Sequence, residues 1–181
     1  MSETRKRSGR PAAGQALHLD QVLDAGLSLL EELGAQGFGV RALARQLDIT
    51  PMSVAYHVGD QHNLMRLLVQ RVHGQPLEEP QAQLAPRERV RALLGQYLAR
   101  VRQHPALTLC VFADPQLFEG SLAAFSERLL AEVRGFDAEP ELLFELLVDY
   151  CHGHALALAL AGERGQGLEG AFDKGLQRLL R

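Results

Sequence analysis

The stretch VRALARQLDITPMSVAYHV, residues 40–58, decides the fold that we expect for this chain. Its apolar residues repeat at helical spacing. Thr50 followed by Pro51 is a typical helix start, because threonine is a good N-cap and proline suits the first helical turn. The sequence therefore predicts two short helices, 40–47 and 51–57, with three residues between them. This spacing is typical of a helix-turn-helix, whose second helix lies in the major groove of DNA.

The turn between these two helices has suitable residues, although the spacing alone is a weak indication of DNA binding. Asp48 tolerates a positive φ better than most residues, and such a turn usually requires one. Ile49 is expected to fill the angle between the helices. Any bundle of helices contains short helix pairs. DNA binding is therefore inferred from the wider sequence pattern and not from this spacing alone.

Helical periodicity extends over most of the remaining chain. Apolar residues recur at i, i+3, i+4 and i+7, and no strand pair or internal repeat is visible. The sequence therefore predicts an all-α protein, in which Gly34 and Gly37 end the first helix. The further helices that we expect lie at residues 19–33, 60–72, 87–104, 105–113, 121–133, 140–161 and 168–180.

Four segments of the chain differ in composition. Residues 1–18 carry a net charge of +3 and predict a basic, disordered arm. Residues 19–73 predict a three-helix helix-turn-helix domain followed by a fourth, bridging helix. Residues 74–86 contain three prolines and little periodicity, which is typical of a linker. Residues 87–181 predict a second helical domain.

The overall composition excludes several classes of protein. Of the 181 residues, 46 % are hydrophobic and 23 % are charged, so the chain can bury a core and wholesale disorder is not expected. Two cysteines, Cys110 and Cys151, favour a reduced, cytoplasmic protein without a disulfide framework. The most apolar stretch, residues 142–161, contains Glu145, Asp149, His152 and His154 and predicts a buried helix rather than a membrane span. We therefore expect no membrane partner.

The wider pattern resembles the DNA-binding domain of the tetracycline-repressor (TetR) family of bacterial regulators. The resemblance covers residues 19–72, whereas residues 87–181 are similar to the family only in helix number and length. It rests on VLDA (22–25), LLEELG (29–34), VRALA (40–44) and TPMSVAYHV (50–58), followed by Leu64.

This resemblance implies a function and its partners. It implies a ligand-responsive transcriptional regulator, more plausibly a repressor, that binds a palindromic DNA operator as a homodimer. It also implies a small-molecule effector held by residues 87–181, which would then form a ligand-binding and dimerisation domain. The helix near 140–161 and the terminal helix resemble the pair through which such proteins dimerise.

The resemblance also assigns residues to DNA. Ala55 and Gln61 stand where the family usually has a phosphate-binding tyrosine and lysine, and Gly59 is expected to add flexibility after the recognition helix. These departures keep open an alternative: a regulator-like scaffold with weakened DNA binding that acts through protein contacts. The expected DNA-binding residues are Arg41, Thr50, Pro51, Met52, Ser53, Tyr56, His57 and Gln61.

The basic arm admits two interpretations. Residues 5–11, RKRSGRP, have the composition of arms that enter narrow A·T minor grooves. They also fit a solvated tail with general attraction to phosphates. The sequence leaves both interpretations open.

Several polar and aromatic residues in the second half are candidates for an effector pocket. They fit an ordinary aromatic core equally well, and a pocket of this composition favours a hydrophobic or aromatic effector. The candidates are His104, Cys110, Phe112, Phe118, Phe144 and Tyr150, with Tyr97 in the same position.

Catalytic and metal sites are not expected. Asp149, Cys151, His152 and His154 suggest metal ligands at first sight, but His152 and His154 lie on different faces of one helix. The chain also has no phosphate-binding glycine loop and no nucleophile elbow. We therefore expect no enzyme activity, cofactor or metal, and a helical metal protein built on residues 149–154 is the weakest alternative.

Overall fold

The computed structural model describes residues 18–118, 120, 123–161 and 168–181, except the side chains of Pro115, Phe118 and Glu169. These residues contain helices and no β-strand, so the predicted all-α class is confirmed. Apart from His18, the predicted basic arm lies outside the described residues. The helices are α1 (Leu19–Gly37), α2 (Val40–Gln46), α3 (Pro51–Val58), α4 (Gln61–His73), α5 (Pro86–Gln103), α6 (Pro105–Ala113), a 3-10 helix (Pro115–Phe118), α7 (Ala123–Arg134), α8 (Pro140–Ala161) and α9 (Leu168–Leu179).

Helix α1 differs from its predicted end. Gly34 adopts φ 66°, which interrupts the helix, but helical structure resumes and continues to Gly37. Glycine adopts a positive φ without steric cost, so the chain bends at this point instead of ending the helix. Of the two glycines predicted to stop this helix, Gly34 therefore interrupts it and Gly37 is its last residue.

Helices α1–α4 enclose a first hydrophobic cluster. Leu30, Leu43, Leu64 and Leu68 are all fully buried in it. A Cβ atom on Gly26 would lie 3.3 Å from Leu68 Cδ2, so glycine lets α1 and α4 approach closely. The helical periodicity of residues 19–72 places these apolar side chains on the inner faces.

A second cluster lies among α5, α7, α8 and α9. Helix α6 contacts both clusters. Leu107 of α6 and Leu117 of the 3-10 helix are buried in the first cluster, and Phe112 of α6 packs against the second. The helix-turn-helix unit is therefore packed against part of residues 87–181. The fully buried members of the second cluster include Val90, Leu129, Val133, Leu147, Ala155 and Leu176.

A carboxylate of α1 caps helix α6. Glu31 of α1 accepts hydrogen bonds from the backbone N–H groups of Ala106 (3.0 Å) and Leu107 (3.3 Å), at the start of α6. The N-terminus of a helix has unsatisfied N–H groups and a partial positive charge, so a carboxylate stabilises it. His104, at the N-cap position, makes no side-chain cap. Glu31 therefore takes the place of a local cap.

The predicted linker is fastened to α5 along its first half. The Arg100 guanidinium donates to the carbonyl oxygens of Gln75 (2.6 Å) and Pro76 (2.9 Å). The side chain of Gln96 accepts from the N–H of Glu78 at 2.7 Å and donates to its carbonyl at 3.0 Å. Residues 74–79, called the strap below, thus form an ordered wall directly after α4.

Helix α8 is more exposed than the sequence predicted. By length and composition it could cross a membrane, with 28 % of the relevant window buried, although core helices of soluble proteins meet the same criterion. The expectation of a buried helix is wrong for one face, which carries four exposed leucines: Leu142, Leu146, Leu156 and Leu160.

The cap formed by Glu31 is testable by substitution. Glu31→Ala removes the acceptor for two N–H groups of α6, and loss of an N-cap typically costs about 1 kcal/mol. We expect the free energy of unfolding, measured by urea titration, to fall by about this amount. Glu32→Ala, at an exposed neighbouring position, is the control. Equal stability of the two variants would contradict the assignment of the cap.

Candidate nucleic-acid interface and ligand cavity

The turn between α2 and α3 has the predicted geometry. Asp48 adopts φ 53°, which confirms the expected positive φ. Thr50 caps α3, since its Oγ1 accepts a hydrogen bond from the N–H of Ser53 at 3.1 Å, and Pro51 occupies the first turn. The hydroxyls of Thr50 and Ser53 also lie 2.9 Å apart. The start of α3 is therefore rigidly defined.

Helix α3 has one buried face and one exposed face. Val54 and Val58 are fully buried in the first cluster, whereas Met52 is 80 % and Tyr56 is 88 % exposed. His57 is half-buried, and its ring meets that of Tyr56 edge to face, with centroids 5.4 Å apart. An i, i+4 pair of valines thus anchors the helix and directs Met52 and Tyr56 outward.

Two arginines lie exposed on α2. Arg41 and Arg45 are one turn apart, and neither forms an ion pair within the described part of the chain. Arg45 was missed by the sequence analysis, although its i+4 spacing from Arg41 places both on one side of the helix. Together they provide positive charge beside α3.

Gln61 has a structural contact that the sequence did not reveal. Its Oε1 accepts a hydrogen bond from the backbone N–H of Val40, the first residue of α2, at 3.1 Å. The first residue of α4 therefore caps α2 through its side chain. The DNA contact expected from Gln61 remains a prediction.

The junction between α3 and α4 is held by side chains. Gly59 ends α3 with φ 73°, and Asn63 Nδ2 donates to the carbonyl of Val58 at 2.9 Å. Asp60 caps α4 by accepting from the N–H of Asn63 at 2.8 Å. Gly59 is therefore a helix terminator with these contacts on either side, and the flexibility expected there stays a prediction.

In the described part of the chain, the residues expected to bind a ligand make separate contacts in both clusters. Cys110 packs against the first cluster, whereas Phe112 lies edge-on to His152 and Phe144 packs against the second cluster. The hydroxyl of Tyr150 donates to backbone carbonyls of α9. The carbonyl of His104 accepts from Thr108 of α6, and the Phe118 side chain lies outside the described residues. Their role in ligand binding remains a prediction.

A cavity of about 280 Å³ lies elsewhere, between the end of α4, the strap, α5 and α7. This volume is at the lower end of the usual range for small-molecule sites. Only Tyr97 among the sequence candidates lines it, because the cavity is formed by segments that are distant in sequence. Its lining residues are His73, Gly74, Gln75, Pro76, Leu77, Glu79, Leu93, Tyr97, Arg100, Ala124, Phe125 and Arg128.

Burial changes the protonation of groups in the cavity wall. Desolvation, with smaller contributions from Arg100 and His104, lowers the pKa of His73 to about 4. Desolvation also raises the pKa of the Tyr97 hydroxyl. Both side chains are therefore neutral at pH 7, and Glu79, Arg100 and Arg128 supply the charge of the wall.

Helix α8 carries the candidate metal ligands Asp149, Cys151, His152 and His154 but does not direct their side chains to one point. Asp149 is exposed, His152 faces Tyr97 and Phe112, and His154 packs on Phe172. Within the described ranges, no three His, Cys, Asp or Glu residues form a group that could hold a metal ion.

Comparison with known sequences gives one curated relative. The HTH-type transcriptional repressor DrrR1 of Streptomyces coeruleorubidus is 28 % identical over 145 residues, which cover 77 % of this chain and 53 % of the relative. The chain thus spans about half the length of that protein. No family model matches the chain.

Solved structures share the fold at low sequence identity. TetR from Acinetobacter baumannii AYE has a TM-score of 0.72 at 19 % identity, covering 91 % of this chain and 95 % of its own. BioQ with its double-stranded DNA operator has a TM-score of 0.64 at 21 % identity, with coverages of 89 % and 98 %. The TetR family protein ActR of Streptomyces coelicolor, in complex with (S)-DNPA, has a TM-score of 0.66 at 17 % identity, with coverages of 92 % and 96 %.

The buried neutral His73 predicts a pH dependence of stability. Its pKa is lower in the folded chain, about 4, than the ordinary 6.5. Protonation therefore favours unfolding, and stability present above pH 6.5 is lost as the pH falls towards 4. His73→Leu should reduce the loss of unfolding free energy between pH 7.5 and pH 5 by about 2 kcal/mol.

Urea titrations at the two pH values measure this effect. His18→Leu, at an exposed histidine, should keep the wild-type pH dependence and serves as the control. An unchanged loss of stability in His73→Leu would show that His73 is protonated as readily in the folded as in the unfolded chain.

Proposed function

Because this chain has the fold of the TetR-family regulators, we propose that it is a DNA-binding transcriptional regulator of that family. In this proposal it is a cytoplasmic repressor that binds a palindromic operator as a homodimer and is released by a small-molecule effector. The outward face of α3 is the observation that carries the proposal.

That face has the properties of a recognition helix. Met52 and Tyr56 are large, mostly apolar side chains that stand in solvent on a helix of only eight residues. An exposed pair of this kind is typical of a contact surface, and the α2 arginines, Arg41 and Arg45, lie beside it to meet phosphates. Met52 suits thymine methyl groups, and Tyr56 can contact bases or the backbone.

Two of the similar proteins support this function. The curated relative is named a transcriptional repressor, and BioQ was solved with its operator DNA. In a helix-turn-helix dimer the two recognition helices lie about 34 Å apart, which is one turn of DNA, so the operator has two-fold symmetry. The proposed operator is accordingly an inverted repeat.

The exposed face of α8 supports a homodimer. Leu142, Leu146, Leu156 and Leu160 are exposed on one face of the helix. Asp149 and Gly153 lie between them on the same face, so that successive positions of this face are four, three, four, three and four residues apart. Such a spacing forms a continuous seam that packs against another helix. Position 153 is glycine, and no atom lies within 4 Å of its Cβ position, so a second copy can approach closely. We therefore place the dimer interface on this seam.

Helix α4 provides a route from the cavity to the recognition helix. Its last residue, His73, lines the cavity, while Gln61 and Asn63 at its start hold α2 and the end of α3. A ligand that changes the position of α4 therefore changes the position of α3 in each subunit. It shifts the dimer away from DNA only if it binds the two arrangements with different affinity.

Substitutions in the interface test the proposed function. Arg41→Ala, His57→Ala and Arg45→Ala should each weaken binding to a duplex enriched from random DNA by about 1–3 kcal/mol, measured by fluorescence anisotropy. Arg102→Ala, at an exposed position on α5, is the charge-matched control. Wild-type affinity in all three variants would remove α2 and α3 from the DNA interface.

The dimer interface is tested separately. Leu156→Glu combined with Leu160→Glu places two charges in the seam, so we expect a folded monomer in sedimentation velocity with an unchanged helical circular dichroism spectrum. Leu33→Glu, at an exposed leucine of α1, should remain dimeric. A double variant that is still dimeric would place the interface elsewhere.

A further inference from the structure

The cavity at the end of α4 contains one cation whose charge is not neutralised by a carboxylate. Arg100 donates two hydrogen bonds, both to backbone carbonyls of the strap, and forms no ion pair within the described residues. A guanidinium has five N–H donors, so three remain. Burial lowers the pKa of Arg100, which shows that its charged form has lost part of its hydration.

The second arginine of the cavity differs in this respect. Arg128 pairs with Glu79 through two hydrogen bonds and lies 3.7 Å from Glu132. Its charge is neutralised inside the wall, so it offers little attraction to a ligand. The net charge of the cavity is therefore concentrated at Arg100.

The rest of the lining is largely apolar. Leu77, Leu93 and Ala124 lie beside the stacked rings of Tyr97 and Phe125, whose centroids are 5.5 Å apart. The apolar part of a ligand that contacts these groups is stabilised by its removal from water. An aromatic ligand ring can also pack favourably against the edges of the Tyr97 and Phe125 rings. The volume of about 280 Å³ restricts it to a small molecule.

We propose that this cavity binds a small aromatic carboxylic acid, with its carboxylate paired to Arg100 and its apolar body against Tyr97 and Phe125. A guanidinium and a carboxylate match in charge and shape, and they form strong, charge-assisted hydrogen bonds. The ligand is a monoanion, because Arg128 is already paired with Glu79 and only Arg100 in the described lining is left to balance a negative charge. The acidic group is an addition to the hydrophobic or aromatic effector that the sequence favoured.

The site of the carboxylate links the ligand to α4, and this step rests on the proposed function. Arg100 fastens Gln75 and Pro76, which follow His73, the last residue of α4, by two and three positions. A carboxylate that binds the three remaining N–H groups draws the guanidinium towards itself and weakens its hydrogen bonds to these two carbonyls. Binding of the acid therefore loosens the strap, and with it the C-terminal anchor of α4.

Matched acids and amides test the proposal on the full chain. The probes are phenylacetate, cinnamate and indole-3-acetate, each compared with its primary amide by isothermal titration calorimetry. The amide keeps the ring and the shape but removes the charge. We expect at least one acid to bind about tenfold or more tightly than its amide, because only the acid pairs with Arg100.

Variants of Arg100 assign the preference to this residue. Arg100→Gln should abolish the preference for the acid, while Arg100→Lys keeps the charge and should retain part of it. Arg102→Gln removes the same charge from an exposed position two residues away and should bind as the wild type does. Thermal unfolding without ligand checks that each variant is folded.

Three results would overturn the proposal: no acid binds, an amide binds as tightly as its acid, or the preference persists in Arg100→Gln. DNA binding without ligand separates this failure from failure of the proposed function. An enriched operator with no acid preference leaves the regulator intact and removes the acid site. A preference that depends on Arg100, in a chain that enriches no DNA sequence, retains the site and removes the regulator.

Discussion

The burial of Leu64 and Leu68 of α4 in the first cluster is the constraint on which the rest of the structure depends. Both side chains are fully buried, and Gly26 lets α1 lie directly against Leu68. This packing fixes the position of α4. The first turn of α4 caps α2 and holds the end of α3, and its last residue, His73, lines the cavity. The two surfaces to which we assign function are thus attached to opposite ends of one rigid element.

The sequence predicted the elements of residues 19–73 well, because local physics determines them. Thr50 and Pro51 form the start of α3 that their chemistry requires, and Asp48 has the positive φ expected of the turn. Helix α2 ends one residue earlier than predicted and α3 one residue later, since helix ends depend on the last few hydrogen bonds. The resemblance to one family then indicated that these helices form a helix-turn-helix domain.

The cavity and the contacts around it were not predictable in this way. Its wall is formed by residues 73–79 and by side chains of α5 and α7. These segments are far apart in the sequence, so no local spacing predicts that they form one cavity. The cap of α2 by Gln61 and the cap of α6 by Glu31 bridge 21 and 75 positions, so neither appears as a local signal. The exposed seam of α8 was misjudged because an apolar face packs equally well in a core or against a second copy.

We propose above that this fold reads a symmetric DNA sequence through α3. The most direct measurement is selection of random duplex DNA by the purified chain, followed by a salt titration on the enriched sequence. We expect an inverted repeat with half-sites about one helical turn apart and an affinity that falls steeply with salt. Weak, salt-sensitive binding without any enriched sequence would contradict it and would favour a scaffold that acts through protein contacts.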